Sequence, residues 1–147
     1  MSTMTDLEKR KLPIGVFDSG VGGLTVLTVL KNMFPFEDFV YVGDSANNPY
    51  GNRSEDEIRK LALKIGDYLE SRPVKMAVVA CNTIAVTAMD DLREHCSFPL
   101  IEVSRGIDTA MAISPRKKIG VMATAATISS HKHKQSALLK SEKVQFY

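Results

Sequence analysis

The stretch VVACNTIAV, residues 78–86, runs from branched apolar residues into a thiol, a carboxamide and a hydroxyl. At the start of a helix, the Cys81 thiolate is favoured by backbone N–H groups and by the positive end of the helix dipole. Such a thiolate acts as a base or a nucleophile. Asn82 and Thr83 beside it supply donors suited to a carboxylate or an oxyanion, and a helix start adds main-chain donors. A small anionic substrate is the natural ligand for that combination. Two other clusters have a similar character: Asp18 and Ser19 in DSGVGGLTV, and the run from Asp44 to Gly51, which ends in Pro49, Tyr50 and Gly51.

Each group also has an ordinary structural role. Asp and Ser begin turns, Asn and Thr cap helices, and a lone cysteine is most often a small buried hydrophobe. Their joint occurrence at successive strand ends favours a site. The glycines of DSGVGGLTV allow close backbone approach but match neither GxGxxG nor the GK[ST] of a phosphate loop, so a dinucleotide site is not expected. His131 and His133 have no cysteine or carboxylate cluster beside them in sequence and read as solvated side chains, so no metal is expected. Cys96 adjoins His95, but neighbours on a helix point apart, and core filling is the better reading.

The elements that must position these groups follow from hydrophobic period. Short apolar runs at Ile14–Phe17, Phe39–Val42 and Val74–Ala80 read as buried parallel strands, and two more are expected at 99–104 and 117–124. Between them, Leu24, Leu27, Leu30 and Phe34 fall at helical spacing. Ser54 and Glu57 form a capping box ahead of the stripe Ile58, Leu61, Ile65 and Leu69, in a helix that should close near Ser71 to Pro73. Further helices are expected over 83–95 and 107–113. Strand and helix in alternation, with uniformly apolar strands, predict an α/β fold with a parallel sheet flanked by helices. Ligands in such sheets bind beyond the carboxyl ends of the strands. Cys81, Asp18 and the 44–51 loop should therefore meet on one edge.

Composition narrows the function class. A chain of 147 residues fits one ordinary domain, and 19 basic residues interspersed with 17 acidic ones give no electrostatic reason to expect nucleic acid or an anionic membrane surface. The leader MSTMTDLEKRKL is polar, and no segment has the length of apolar residues that a membrane span needs. The expected location is cytoplasmic, with both cysteines reduced.

GVFDSGVGGLTV, the PYG at 49–51 after YVGDSANN, and ACNTIAV occur in an order and context that resemble the aspartate/glutamate racemase family, and within it most resemble the glutamate racemases. The resemblance runs from Leu12 to about Ser130. IGVMATAATISS looks like the first strand and turn of the family's second domain, so the boundaries it implies are a leader at 1–12, an α/β domain at 13–113, and a linker with the opening of a second domain at 114–147. It also implies an isomerase that interconverts L- and D-glutamate without a cofactor, supplying D-glutamate for peptidoglycan and so for cell-wall biogenesis and cell shape. In that scheme two cysteines on opposite faces of the substrate exchange the α-proton. Cys81 resembles one of them, with Asp18 assisting, while Asp18, Ser19, Tyr50, Gly51, Asn82 and Thr83 resemble the groups that hold the amino acid. The implied partner is glutamate, and a homo-oligomer is compatible with the family. The family's second cysteine lies in a later CTHYP-like motif that this sequence does not contain, so a catalytically incomplete chain is expected. Asn47 replaces a common arginine and Ile84 a usual small residue. Racemisation of aspartate or a related amino acid, and non-catalytic binding or interaction, remain the alternatives.

Overall fold

The computed structural model describes residues 5–103, 106–116, 118–132, 134–135 and 145–146. Four parallel strands form the main sheet: β1 (Ile14–Asp18), β2 (Phe39–Gly43), β3 (Met76–Val79) and β4 (Leu100–Glu102), in the order β2-β1-β3-β4. β1 is buried along its whole length because it has a strand on each side and helices on each face. Alternate residues point to opposite faces of a strand. Ile14, Val16 and Val78 accordingly meet Val26, Leu27 and Leu30 of helix α2 (Leu24–Met33), while Phe17, Ala77 and Val79 enter the larger core on the other face.

That core is built mainly by α3 (Glu55–Glu70), α4 (Asn82–Thr87) and α5 (Met89–His95). The Ser54–Glu57 box forms as expected: the Glu57 amide donates to Ser54 Oγ at 3.3 Å and the Ser54 amide donates to Glu57 Oε2 at 3.0 Å. Ile58, Ile65 and Leu69 are buried, Leu61 packs at the margin, and Ala62 and Gly66 join the buried stripe. The helix ends at Glu70, with Ser71 as its cap.

Several expectations are refined. The single helix expected over 83–95 is two helices, broken at Ala88, whose backbone (φ −124°, ψ 8°) leaves the helical region. β-branched Thr83, Ile84, Val86 and Thr87 weaken continuation of the helix, and both pieces still bury one face, through Ile84, Ala85, Ala88, Met89 and Leu92. α2 turns differently from its apolar spacing: Leu24 and Phe34 are largely exposed and Val26 packs inward in their place. The polar leader carries a short helix, Asp6–Arg10, with its own Thr5–Glu8 capping box. Toward the end of the chain, Ile107–Ile113 is helical as expected and packs Ile107 and Met111 on Ile119. The strand expected over 117–124 is confined to Lys118–Ile119, which pairs in parallel with Gln145–Phe146. A short helix, Ala125–Ser129, follows. Ser104, Lys117 and His133 lie outside the described residues. Among the described residues no helix is long and apolar enough to cross a membrane.

Strand register does the positioning. Asp18 lies opposite Gly43, and Phe17 opposite Val79, so β1, β2 and β3 end level with one another. Main-chain bonds carry this alignment into the loops, from Asp44 N–H to Asp18 O at 3.1 Å and from Ala80 N–H to Phe17 O at 2.8 Å.

Candidate active site

Cys81 is the residue that leaves β3 and caps the start of α4, with an extended backbone (φ −105°, ψ 115°). It is buried, and its Sγ donates to the Ser19 hydroxyl at 3.4 Å across the gap between β3 and β1. Asp18, also buried, turns its carboxylate onto the loop that follows: Oδ2 accepts from the amides of Gly20 (3.3 Å) and Gly23 (3.0 Å). A carboxylate placed in this way fixes the loop that carries Ser19. Asn82 is exposed at the first position of α4, whereas Thr83 is buried.

The third strand end is a closed polar network. The Tyr50 hydroxyl donates to Asp44 Oδ2 at 2.6 Å, and Asn47 Nδ2 donates to both Asp44 oxygens, at 2.9 and 3.0 Å. Arg53 then donates through Nε and Nη2 to the main-chain oxygen of Asn47, at 3.0 and 2.8 Å. Burial, reinforced by the hydrogen bond to Asp44, pushes the Tyr50 phenol well above its ordinary value, so it remains a donor. Tyr50 thus anchors the turn through its side chain, and both Tyr50 and Gly51 are buried. At Gly51 a Cβ atom would lie 2.7 Å from Thr124, so only glycine fits against that residue. Thr124 in turn lies 3.0 Å, hydroxyl to hydroxyl, from Thr83.

The expected site residues therefore converge through a short chain of contacts. Asp18 holds the Ser19 loop, Ser19 meets Cys81, Cys81 begins the helix that carries Asn82 and Thr83, and Thr83 reaches Gly51 through Thr124. This is a buried thiol at the carboxyl edge of a parallel sheet, with the Ser19 hydroxyl beside it and Asn82 and Thr83 following it in the chain.

Curated relatives and solved structures are similar to this chain in sequence and fold. The chain is 48% identical over 126 residues to the glutamate racemase of Mycobacterium leprae (strain TN), covering 85% of this chain and 46% of that protein. It superposes on glutamate racemase from Francisella tularensis, solved in complex with D-glutamate, with a TM-score of 0.84 and 37% identity, covering 93% of this chain and 52% of that one. The chain belongs to the aspartate/glutamate racemase family. Within the family it is most similar to the glutamate racemases, and it spans about half the length of the curated relatives it matches, 46% in the case above. A more distant likeness, to an aspartate racemase homologue of Pyrococcus horikoshii at 13% identity and a TM-score of 0.58, concerns the fold alone. No protein-family model matches the chain.

Beside the racemase-family motifs stand residues that sequence reasoning did not select. Thr124 ends the apolar run that begins at Ile119, so the rule that picked out Asp18 and Cys81 at strand ends points to it too. Asn47, singled out only as a departure from the family, is the residue that ties Asp44 to Arg53. Tyr41, the first residue of YVGDSANN, is legible in the sequence only as a strand residue. Ile84, the other departure, is fully buried in the core. Cys96 packs against Gly66, with Sγ 3.0 Å from where a Cβ there would sit, and burial, then Glu70 and Asp67, push its thiol up to about 11. Its location agrees with a filling role. His131 is exposed.

Proposed function

We propose that this chain carries one half of a glutamate racemase site, with Cys81 as the thiol that exchanges the α-proton on one face of the substrate. The observation that carries the reading is the Cys81–Ser19 pair at the level ends of β1 and β3. In the proposed step the Cys81 thiolate takes the α-proton of glutamate, becoming a thiol and leaving a carbanion whose charge spreads into the carboxylate. Donors positioned beforehand stabilise that charge, since they cost no reorganisation when it develops. Asn82, Thr83 and Ser19 are suited to the substrate carboxylates, the Tyr50–Gly51 main chain to the amino acid from the opposite side, and Asp18 to holding the loop and the substrate ammonium.

Inversion requires a second acid to deliver a proton to the other face, so full racemisation belongs to a site with a second thiol. No electron transfer takes place, and the scheme uses no cofactor. In this reading residues 13–113 form the racemase-like domain, and 114–147 the linker and opening of a second one, in a cytoplasmic enzyme that supplies D-glutamate to cell-wall synthesis. Substrate preference rests on pocket size, with aspartate as the competing ligand.

Proton exchange at Cα tests the proposal directly. In heavy water, NMR of L- and D-glutamate with chiral analysis should show deuterium entering one enantiomer in the presence of the chain. Cys81→Ala should abolish it. Exchange that survives in Cys81→Ala removes Cys81 from the role.

A further inference from the structure

The loop from Ser19 to Gly23 carries the only hydroxyl bonded to Cys81 among the described residues, and it is held from two elements at once. From its own strand, Asp18 Oδ2 accepts from the Gly20 and Gly23 amides. From β2, the Tyr41 hydroxyl donates to the main-chain oxygen of Gly20 at 3.0 Å. Three glycines are shaped around this clamp. A Cβ at Gly23 would lie 2.8 Å from the Asp18 Cβ and 3.1 Å from the Tyr41 hydroxyl, and one at Gly43 would lie 2.2 Å from the Gly20 oxygen. At Gly20 itself a Cβ would meet the Asn48 side chain at 3.1 Å.

Resting on the reading of Cys81 as the reactive thiol, we propose that Tyr41 is a positioning residue of that site: by tethering Gly20 it fixes the adjacent Ser19 hydroxyl at the sulfur. Ser19 has one neighbour on each side held in place, Asp18 by the sheet and Gly20 by Tyr41, so its side chain has little backbone freedom left to spend. The Tyr41 phenol is suited to a permanent tether. Burial first, and then the charges of Asp18 and Cys81, hold it above its ordinary value, so it keeps its proton as the thiol changes state. Tyr41 touches no reacting atom in this scheme and acts entirely through the loop.

The test is a double-mutant cycle between Tyr41→Phe and Ser19→Ala, in a Cys96→Ala background, reading the rate of Cys81 alkylation by iodoacetamide by mass spectrometry. If Tyr41 acts through Ser19, Tyr41→Phe changes the rate by about threefold or more when Ser19 is present and by less than about 1.5-fold when it is absent. An equal change in both backgrounds, or none in either, overturns the proposal. A second measurement uses the chain with Tyr41 and Ser19 unaltered: the clamped Gly20 and Gly23 amides should show slowed hydrogen exchange, and exchange at the rate of an open loop would also overturn it. Alkylation needs no substrate. The cycle therefore gives its answer whether or not the chain exchanges the α-proton of glutamate, and failure of the racemase reading is seen separately in the exchange experiment.

Discussion

The two cysteines differ in surroundings more than in burial. Cys81 leaves a strand end and faces Ser19, a polar neighbour from another strand. Cys96 follows α5 and faces Gly66 on α3, with the carboxylates of Glu70 and Asp67 nearby. Those surroundings favour the neutral Cys96 thiol, which has a consequence for stability. The unfolded thiol ionises near 9 and the folded one at about 11. The folded state therefore holds its proton more tightly, and stability from this source is intact below pH 9 and lost as pH rises toward 11. Raising the thiol from 9 to about 11 is worth about 2–3 kcal/mol at full value, and partial exposure reduces it to about 1–2 kcal/mol. Urea unfolding at pH 8 and pH 11 should show a larger loss in the parent chain than in Cys96→Ala, by about that amount. Equal losses would mean that the thiol is not desolvated.

Elements place these residues through register, and the tightest part of that register is the approach of β2 to the loop after β1. Gly43 lies opposite Asp18, and the oxygen of Gly20 occupies the space a side chain at Gly43 would need. Gly43→Ala drives a methyl into main chain that cannot rotate away. We expect a loss of about 1–3 kcal/mol, the usual cost of overpacking, seen as a lower urea midpoint with an unchanged slope. A neutral outcome would show that the loop yields freely, and would weaken the clamp at its base. How much of this was legible in sequence depends on the kind of information each element carries. Strands β1 and β3 and helix α3 were readable because burial on both faces, or a capping box ahead of a stripe, writes itself into residue types, and the half-buried edge strand β2 by its apolar run. The orientation of α2 was not, since Val26 and Leu24 are both apolar and only contact with Ile14 and Val16 decides which turns inward. The break at Ala88 was hidden for a similar reason, as its surroundings keep helical spacing on either side. Among site residues, Cys81, Asp18 and Tyr50 announced themselves by type at strand ends. Tyr41 did not, because a tyrosine within a strand is ordinary until the Gly20 oxygen is seen beneath its hydroxyl.

At the scale of the whole molecule, the segment after β4 is joined to the site by packing and hydrogen bonds around one residue. Thr124 caps the Ala125–Ser129 helix, accepting from the Thr127 amide at 3.4 Å, while its hydroxyl meets those of Thr83 and Thr127 at 3.0 Å each. Its Cβ and Cγ2 sit against Gly51, and Ala126 packs on the main core. The turn that presents Tyr50 and Gly51 is therefore pinned on one side by Asp44 and on the other by a residue some 70 positions later in the chain. Gly51→Ala tests whether that pin is part of one cooperative structure. Its methyl would stand 2.7 Å from both Thr124 carbons, so Thr124 must retreat and its bond to Thr83 must open. Hydrogen exchange should then rise over 124–130 while β1 to β3 keep their protection, with a melting point lower by about 2–6 °C. Removing the opposing side chain as well, in Gly51→Ala with Thr124→Gly, returns the space, and because glycine is tolerated at a helix cap it should recover most of the lost melting temperature. Recovery would establish that the two segments meet at this contact in solution. A double variant no better than Gly51→Ala alone would mean that the strain at Gly51 comes from elsewhere, and that the later segment does not shape the Tyr50–Gly51 turn.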